Sequence, residues 1–194
     1  MTDSLRDVRW ERAEAALERG DGPGALYLFK SLAQSGDECA YINLAHLYEL
    51  GEKGIAQNYP EALKWYRKSL YEASEVRAAV DLARMHLWGI GVDQDYTKAR
   101  ELLELAEPNR KAVVYLMLGQ IYWYGLGVEK NAARGKRYFL RALAKDNVRA
   151  YVYLGSVMFS ERRWLKAIWL RAIAVVKSIQ LLAVNREDQR LRYA

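Results

Sequence analysis

Three residues within one short segment carry side chains that could bind a metal: Cys39, His46 and Glu49. Helical spacing would place them on one face, and thiolate, imidazole and carboxylate groups are all zinc ligands. A structural zinc site is four-coordinate, and no fourth candidate accompanies these three. A zinc site is therefore the weaker interpretation, and we expect neither a metal nor a cofactor.

The elements that carry these residues are indicated by a segment that occurs four times along the chain. Its central leucine recurs at intervals of 38, 36 and 36 residues, as Leu44, Leu82, Leu118 and Leu154. The first three copies end in glycine-bearing loops, at Gly51, Gly89 and Gly125. Repetition at this period is typical of stacked helical hairpins, so the repeat is a better guide to the fold than any local motif.

A second matching run follows each loop and begins with a residue suited to N-cap a helix: Asn58, Asp95 and Asn131. Apolar residues then recur at three- and four-residue steps, which predicts a second helix. Small residues share one position of the first helix (Ala45, Ala83, Gly119, Gly155) and one of the second (Ala62, Ala99, Gly135, Ala167). We expect the paired helices to approach closely at these positions.

Enzyme motifs are missing from the sequence. It contains no phosphate-binding loop, no His-Glu-x2-His motif and no serine nucleophile elbow. His86 takes the repeat position held by Tyr48 and Tyr122, which indicates packing. We therefore predict a protein that is not an enzyme and has no catalytic residues.

The motifs resemble the Sel1-like repeat family, which is related to the tetratricopeptide repeats. The family signature, Ala-x3-Leu-Gly/Ala-x2-Tyr-x2-Gly-x-Gly-Val followed by Asp/Asn-x3-Ala, fits the third full copy almost throughout, up to Ala142. The resemblance covers roughly residues 38–180. Residues 4–36 depart from it and look like the shorter tetratricopeptide form, with Phe29, Leu32 and Ala33.

The resemblance implies an all-α fold, a right-handed α/α superhelix (solenoid) of about five helical hairpins. We expect a single repeat domain over residues 1–184, followed by a basic tail. Its parts are an N-terminal tetratricopeptide-like unit, three Sel1-like repeats, a short C-terminal unit and the tail, at 4–36, 38–75, 76–111, 112–147, 148–184 and 185–194.

The tetratricopeptide analogy also predicts which first-helix positions line a concave groove. Carried onto this sequence, the candidate partner-binding residues are Arg77, Arg84, Trp88, Gln120, Trp123, Tyr124, Arg149 and Phe159. Aromatic residues and arginine are enriched at binding hot spots, which favours a protein or peptide ligand. The alternative is that these aromatic rings pack against neighbouring helices.

Residues 164–184 form a mostly apolar run interrupted by Lys166, Arg171 and Lys177. These cations argue against a membrane span, yet the run is too apolar for a helix that only caps the stack. We expect either burial within the stack or an interface with a partner, a second copy of the chain or, less favoured, a membrane surface. The candidate interface residues are Trp164, Ile168, Trp169, Ile173 and Val176.

The net charge of +6 is concentrated near the C-terminus, since residues 161–194 hold eight Arg and Lys against three Asp and Glu. Nucleic-acid binding through this segment is one alternative function. The first residues lack the apolar core of a signal peptide, and Cys39 is the only cysteine, which suits a reducing cytoplasm.

Sel1-like proteins, as a family, are scaffolds and adaptors. The resemblance therefore implies a non-catalytic protein–protein interaction scaffold or adaptor that binds through the groove, the C-terminal helix or both. An immunity or antitoxin-like inhibitor of one specific partner is the alternative within the same class of binding proteins.

Overall fold

The computed structural model describes the backbone of residues 2–109, 111–145 and 147–192, and the side chains of residues 7–109, 111–145 and 147–181. Across these residues the regular structure is helical and includes no strand, so the predicted all-α class is confirmed. The helices are α1 Thr2–Glu18, α2 Gly22–Gln34, α3 Cys39–Leu50, α4 Tyr59–Tyr71, α5 Val76–Trp88, α6 Tyr96–Ala106, α7 Ala112–Tyr124, α8 Ala132–Leu143, α9 Val148–Ser160 and α10 Trp164–Arg192. A short 3-10 turn spans Glu107–Asn109.

Consecutive helices pack as five pairs: α1 with α2, α3 with α4, α5 with α6, α7 with α8, and α9 with α10. The chain divides into two compact units, Met1–Ala106 (unit 1) and Glu107–Ala194 (unit 2). In unit 1, α2 also contacts α3, and α4 contacts α5. In unit 2, α8 also contacts α9. Within each unit the pairs therefore stack on their neighbours in sequence.

Glycines end the first helix of each full repeat in the left-handed conformation. Gly51, Gly89 and Gly125 have φ angles of 62°, 68° and 73°. Each donates its backbone N–H to the carbonyl four residues earlier, which satisfies one of the free carbonyls at the helix end. A side chain at these positions would strain the backbone, which explains the repeated glycine.

The second helix of each full repeat begins at the predicted N-cap. The side chains of Asn58, Asp95 and Asn131 accept hydrogen bonds at 3.0, 2.9 and 2.8 Å from backbone N–H groups three residues later. Their own N–H groups donate at 2.8, 2.9 and 2.8 Å to first-helix carbonyls, those of Tyr48, His86 and Tyr122. The last residue of each loop is thus hydrogen-bonded both to the helix that precedes the loop and to the helix that follows it.

Close helix contacts in unit 2 occur at the predicted small residues. A Cβ atom on Gly119 of α7 would lie 2.5 Å from the ring of Phe139 on α8. A Cβ atom on Gly135 of α8 would lie 2.8 Å from the backbone nitrogen of Trp123 on α7. The four repeat leucines are buried at equivalent positions, as predicted: Leu44, Leu82, Leu118 and Leu154.

The backbone of α10 continues as helix through residue 192, across most of the segment that the sequence set apart as a basic tail. The side chains of that segment, and residues 193–194 entirely, lie outside the described residues. Among the α10 residues with described side chains, Ala167 and Ala174 are buried, and the helix packs on α9.

Candidate functional site

Two of the three metal-binding candidates of the sequence, His46 and Glu49, lie in a polar network of unit 1 that links α3, α4 and α5. The Glu49 carboxylate accepts hydrogen bonds from the Tyr66 hydroxyl and from the Arg84 guanidinium, both at 2.6 Å. His46 Nε2 lies 3.3 Å from an oxygen of Asp81, which in turn lies 3.6 Å from Arg84. Both Glu49 oxygens are engaged within the protein.

The charges of this network shift the pKa values of two of its members. Burial, reinforced by Asp81 and Glu49, raises the pKa of the Tyr66 hydroxyl far above its ordinary range, so this group stays protonated. Burial by itself would lower the pKa of Arg84, but the hydrogen bond and negative charge of Glu49 raise it. The network therefore holds a fixed ion pair and a hydroxyl that does not ionise, which suits a structural role.

The structure does not bring the three candidate zinc ligands, Cys39, His46 and Glu49, together at one position. Among the residues with described side chains, no three His, Cys, Asp or Glu side chains are grouped so that they could hold a metal ion. Cys39 is exposed at the start of α3, while Glu49 contacts Arg84. His46 faces Asp81 instead of a shared ligand position.

His86 is buried in unit 1, as its repeat position predicts. Its Nδ1 atom has no hydrogen-bond partner among the residues that the structure describes. Burial, with the nearby positive charge of Lys98, lowers the pKa of the imidazole. The ring therefore occupies its site in the neutral form, in place of a tyrosine.

The predicted groove residues of unit 1 have three different environments. Arg77 is exposed at the start of α5. Arg84 belongs to the polar network described above. Trp88, at the end of α5, is 45% exposed. Trp88 and Arg77 are therefore available to a partner, whereas the guanidinium of Arg84 is already engaged.

The predicted groove residues of unit 2 also differ from one another. Tyr124 is 54% and Phe159 58% exposed, and Arg149 is exposed as well. Gln120 is buried and donates to the Tyr153 hydroxyl, so it belongs to the interior of the unit. Trp123, another of the predicted groove residues, is half-buried, and its ring lies beside the ring of Phe139.

The C-terminal helix has a distinct apolar surface. Eight large apolar residues of α10 are each more than half exposed, and all except Leu181 lie on one side of the helix. These seven are called the α10 outer face and comprise Trp164, Leu165, Ile168, Trp169, Val175, Val176 and Ile179. At about 100° per residue these positions fall within an arc of roughly 140°. Beside it, Leu165, Trp169, Met158, Lys166 and Leu170 line an open cleft of about 450 Å³.

Sequence reasoning named four members of this face and missed Leu165, Val175 and Ile179. Ile173, the remaining candidate, is only half-buried and lies at the edge of the arc. The run is apolar around the whole helix, so its pattern could not separate the inner from the outer positions. The small Ala167 and Ala174 were the only local indication of the packed side.

A second feature was also missed, an arginine-lined cleft on α8 of unit 2. Arg134, Arg137, Tyr138 and Arg141 enclose a volume of about 200 Å³. The signal was present in the sequence, because spacings of three and four residues align three arginines on one helical face.

Among the residues with described side chains, no helix has both the length and the apolar character required to cross a membrane.

Two curated proteins illustrate the sequence relationships of the chain. It is 29% identical over 114 residues to the ERAD-associated E3 ubiquitin-protein ligase component HRD3B of Arabidopsis thaliana, an alignment that covers 58% of this chain and 18% of the relative. It is 31% identical over 128 residues to Protein sel-1 homolog 2 of Homo sapiens, covering 64% of this chain and 18% of the relative. The chain thus spans less than a fifth of the length of either relative.

A solved structure has the same fold. The Sel1 repeat protein from Oxalobacter formigenes superposes with a TM-score of 0.73, covering 91% of this chain and 73% of that one, at 24% identity. This likeness confirms the predicted helical-repeat solenoid class.

The family model described as Sel1 repeat matches the sequence three times, at residues 40–72, 76–107 and 112–147. These matches cover more than half of the chain and confirm the resemblance to the Sel1-like repeat family. The glycine caps, side-chain N-caps and small-residue contacts described above are the structural form of the same pattern. The chain belongs to the Sel1 repeat family.

Proposed function

We propose that this protein is a non-catalytic adaptor that binds an acidic protein partner through the α10 outer face. The observation that carries the proposal is the exposure of this face, where Leu165 is 85% exposed and Ile168 and Trp169 are each 64% exposed. An exposed apolar surface of this kind marks an interaction site on a soluble protein. Its two tryptophans are of the residue type most enriched at hot spots.

The charges beside the face support an acidic partner. By helical spacing, Arg171 lies about 20° outside one edge of the apolar arc, and Lys166 and Lys177 lie about 60° and 80° beyond the other edge. Residues 164–181 contain no Asp or Glu. An apolar centre with a polar rim is the usual anatomy of an interface, and here the rim is cationic. A second copy of the chain would present the same cations again, whereas an acidic partner neutralises them.

Two further points support an adaptor role. HRD3B is named as a component of an E3 ubiquitin-protein ligase, so a relative with similar repeats is part of an assembly. In this chain the polar groups of the α3–α5 network, those of Glu49, Tyr66 and Arg84, are hydrogen-bonded to one another, which supports a structural role for them and not a catalytic one. The exposed Trp88, Tyr124 and Phe159 offer additional contacts within their own units. A reducing cytoplasm is the compartment we propose for this activity.

The experiment begins with capture of partners by the intact chain from its native cell, followed by identification and purification of the partner. The dissociation constant is then measured for the intact chain, for Trp169→Glu and for a control, Tyr71→Glu, whose position in unit 1 is 72% exposed. We expect Trp169→Glu to weaken binding by about thirtyfold or more, as loss of a hot-spot residue does. The control is expected to stay within about twofold of the intact chain.

Other occupants of the face give different results. If the intact chain is a dimer that Trp169→Glu dissociates, the face binds a second copy and the proposed acidic partner is wrong. Binding to anionic liposomes that Trp169→Glu abolishes would assign the face to a membrane surface. Equal affinities of Trp169→Glu and the intact chain for the purified partner would remove α10 from the interaction.

A further inference from the structure

The arginine cleft of α8 lies outside the α10 outer face and is built from residues of unit 2 alone. Its walls are Arg134, Arg137, Tyr138 and Arg141, spaced so that they follow one side of the helix. α8 carries four cations and no Asp or Glu. Lys136, the fourth cation, is engaged at 2.6 Å with Glu161 and takes no part in the cleft.

Tyrosine rings hold two of the arginines in place. The guanidinium carbon of Arg134 lies 3.8 Å from the centre of the Tyr122 ring, a close cation–π contact. The Arg141 guanidinium lies 5.7 Å from the Tyr115 ring and 5.5 Å from the Tyr138 ring. Contacts with aromatic faces fix a guanidinium while its charge is retained. The cleft is therefore an ordered array of cations.

The carboxylate of Glu107 shows which chemical group this array of arginines binds. Glu107 Oε1 accepts a hydrogen bond from Arg141 at 3.0 Å, and Glu107 Oε2 accepts one from the Tyr138 hydroxyl at 3.3 Å. Arg137 lies on the same cleft and makes no hydrogen bond or ion pair with the residues that the structure describes. Glu107 thus pairs with Arg141 at one edge of the cleft, and the charge of Arg137 has no acidic partner among the described residues.

We infer that this cleft binds the side-chain carboxylates of an acidic peptide segment, with Arg137 as the principal contact and Arg141 and Tyr138 beside it. Arginine pairs with carboxylates through two parallel N–H donors, and such charge-assisted bonds are stronger than neutral ones. The cleft of about 200 Å³ has room for one or two carboxylate groups and not for a folded domain. The inference rests on the proposed function, because it names the chemistry of a second contact with an acidic protein partner.

Fluorescence anisotropy with synthetic peptides tests this inference without the natural partner. The probe is a dye-labelled peptide that alternates glutamate with glycine, and its control carries glutamine in place of every glutamate. The intact chain is compared with Arg137→Gln and with Arg163→Gln, which removes one charge at an exposed position outside the cleft. Circular dichroism confirms that each variant keeps its helical content.

We expect the glutamate peptide to bind and the glutamine peptide not to bind. Arg137→Gln should weaken binding by about tenfold, as loss of a charged hydrogen-bond partner does, and Arg163→Gln by about twofold or less. Arg137→Lys should restore only part of the affinity, because lysine cannot form the paired contact. Equal losses in Arg137→Gln and Arg163→Gln would show general charge attraction and overturn the inference.

Two further arms separate other anions from carboxylates. A phosphoserine peptide of the same length, or inorganic phosphate, that binds through Arg137 more tightly than the glutamate peptide would show that the site is a phosphate site. A labelled single-stranded RNA that binds more tightly and in an Arg137-dependent manner would assign the cleft to nucleic acid. The Trp169→Glu variant, which tests the proposed function, is expected to bind the peptide normally, so the two proposals can fail separately.

Discussion

Gly119 determines how closely α7 and α8 approach each other, because any side chain there meets the ring of Phe139. We predict that Gly119→Leu lowers the free energy of unfolding by about 3 kcal/mol, since the added carbons have no space in a close-packed crossing. Urea unfolding followed by circular dichroism measures the change. Ala133→Leu, at an exposed position of α8, is the control and should have little effect. A Gly119→Leu protein as stable as the control would show that the crossing adapts.

His86 makes stability depend on pH. Its pKa is lowered in the folded protein by burial, so the unfolded chain binds the proton more readily. The free energy of unfolding should therefore fall as the pH decreases below about 6.5, the ordinary pKa of histidine. The decrease should stop once the pH is below the folded-state pKa, where both states are protonated.

The substitution that tests this prediction is His86→Tyr, which installs the residue found at the equivalent positions Tyr48 and Tyr122, both buried. We expect the variant to have a flatter stability profile between neutral and mildly acidic pH than the intact chain. An NMR titration of the His86 ring gives the folded pKa directly. A midpoint above the ordinary value would contradict the prediction.

At the scale of elements, the Arg84–Glu49 ion pair ties α5 to α3, and Tyr66 brings in α4. Removal of Arg84 leaves the Glu49 carboxylate buried without its counter-charge. We predict that Arg84→Met destabilises unit 1 by about 2 kcal/mol, less than a fully buried pair would, because the Arg84 side chain is 28% exposed. Arg77→Met, at an exposed position of the same helix, is the control.

A double-mutant cycle distinguishes a true pair from two independent residues. Arg84→Met leaves the Glu49 carboxylate without its counter-charge, and Glu49→Gln removes that negative charge. The double variant should therefore lose less stability than the sum of the two single changes. Chemical denaturation of the four proteins gives the coupling energy. Strict additivity would mean that the ion pair does not link the two helices.

The two sides of α10 should respond differently to the same charge. Ala174 is buried against α9, so Ala174→Glu should lower the free energy of unfolding by about 3 kcal/mol. Val176 is 54% exposed and Ile168 64% exposed, and glutamate at either position should cost about 0.5 kcal/mol or less. Ile173→Glu should fall between these values. Thermal melts of the four variants measure the order, and large losses at Ile168 or Val176 would mean that these positions are core.

For the whole molecule, the net charge of +6 is expected to govern how fast the protein meets an acidic partner. Attraction between opposite charges accelerates encounter and is screened by salt. We predict that added salt lowers the association rate of the partner complex strongly and changes its dissociation rate little, because apolar contacts of α10 hold it. Stopped-flow kinetics at a series of salt concentrations separates the two rates. An association rate insensitive to salt would contradict the role of charge.

What the sequence by itself determined is the repeat and everything local to it. The leucine period, the glycine ends and the residues Asn58, Asp95 and Asn131 were all readable because helix caps and hairpin loops depend on nearby backbone conformation. Family membership followed from the same positions. These features need only short-range geometry, so one repeat predicts the next.

Only the tertiary structure decided which side chains are exposed. The sequence placed Gln120 in a groove, yet the structure buries it against Tyr153, and it placed Arg84 there without showing that Glu49 engages it. It could not separate the two sides of α10, and the arginines of α8 went unnoticed. Exposure depends on contacts between residues far apart in the sequence, and such contacts form only when the helices pack together.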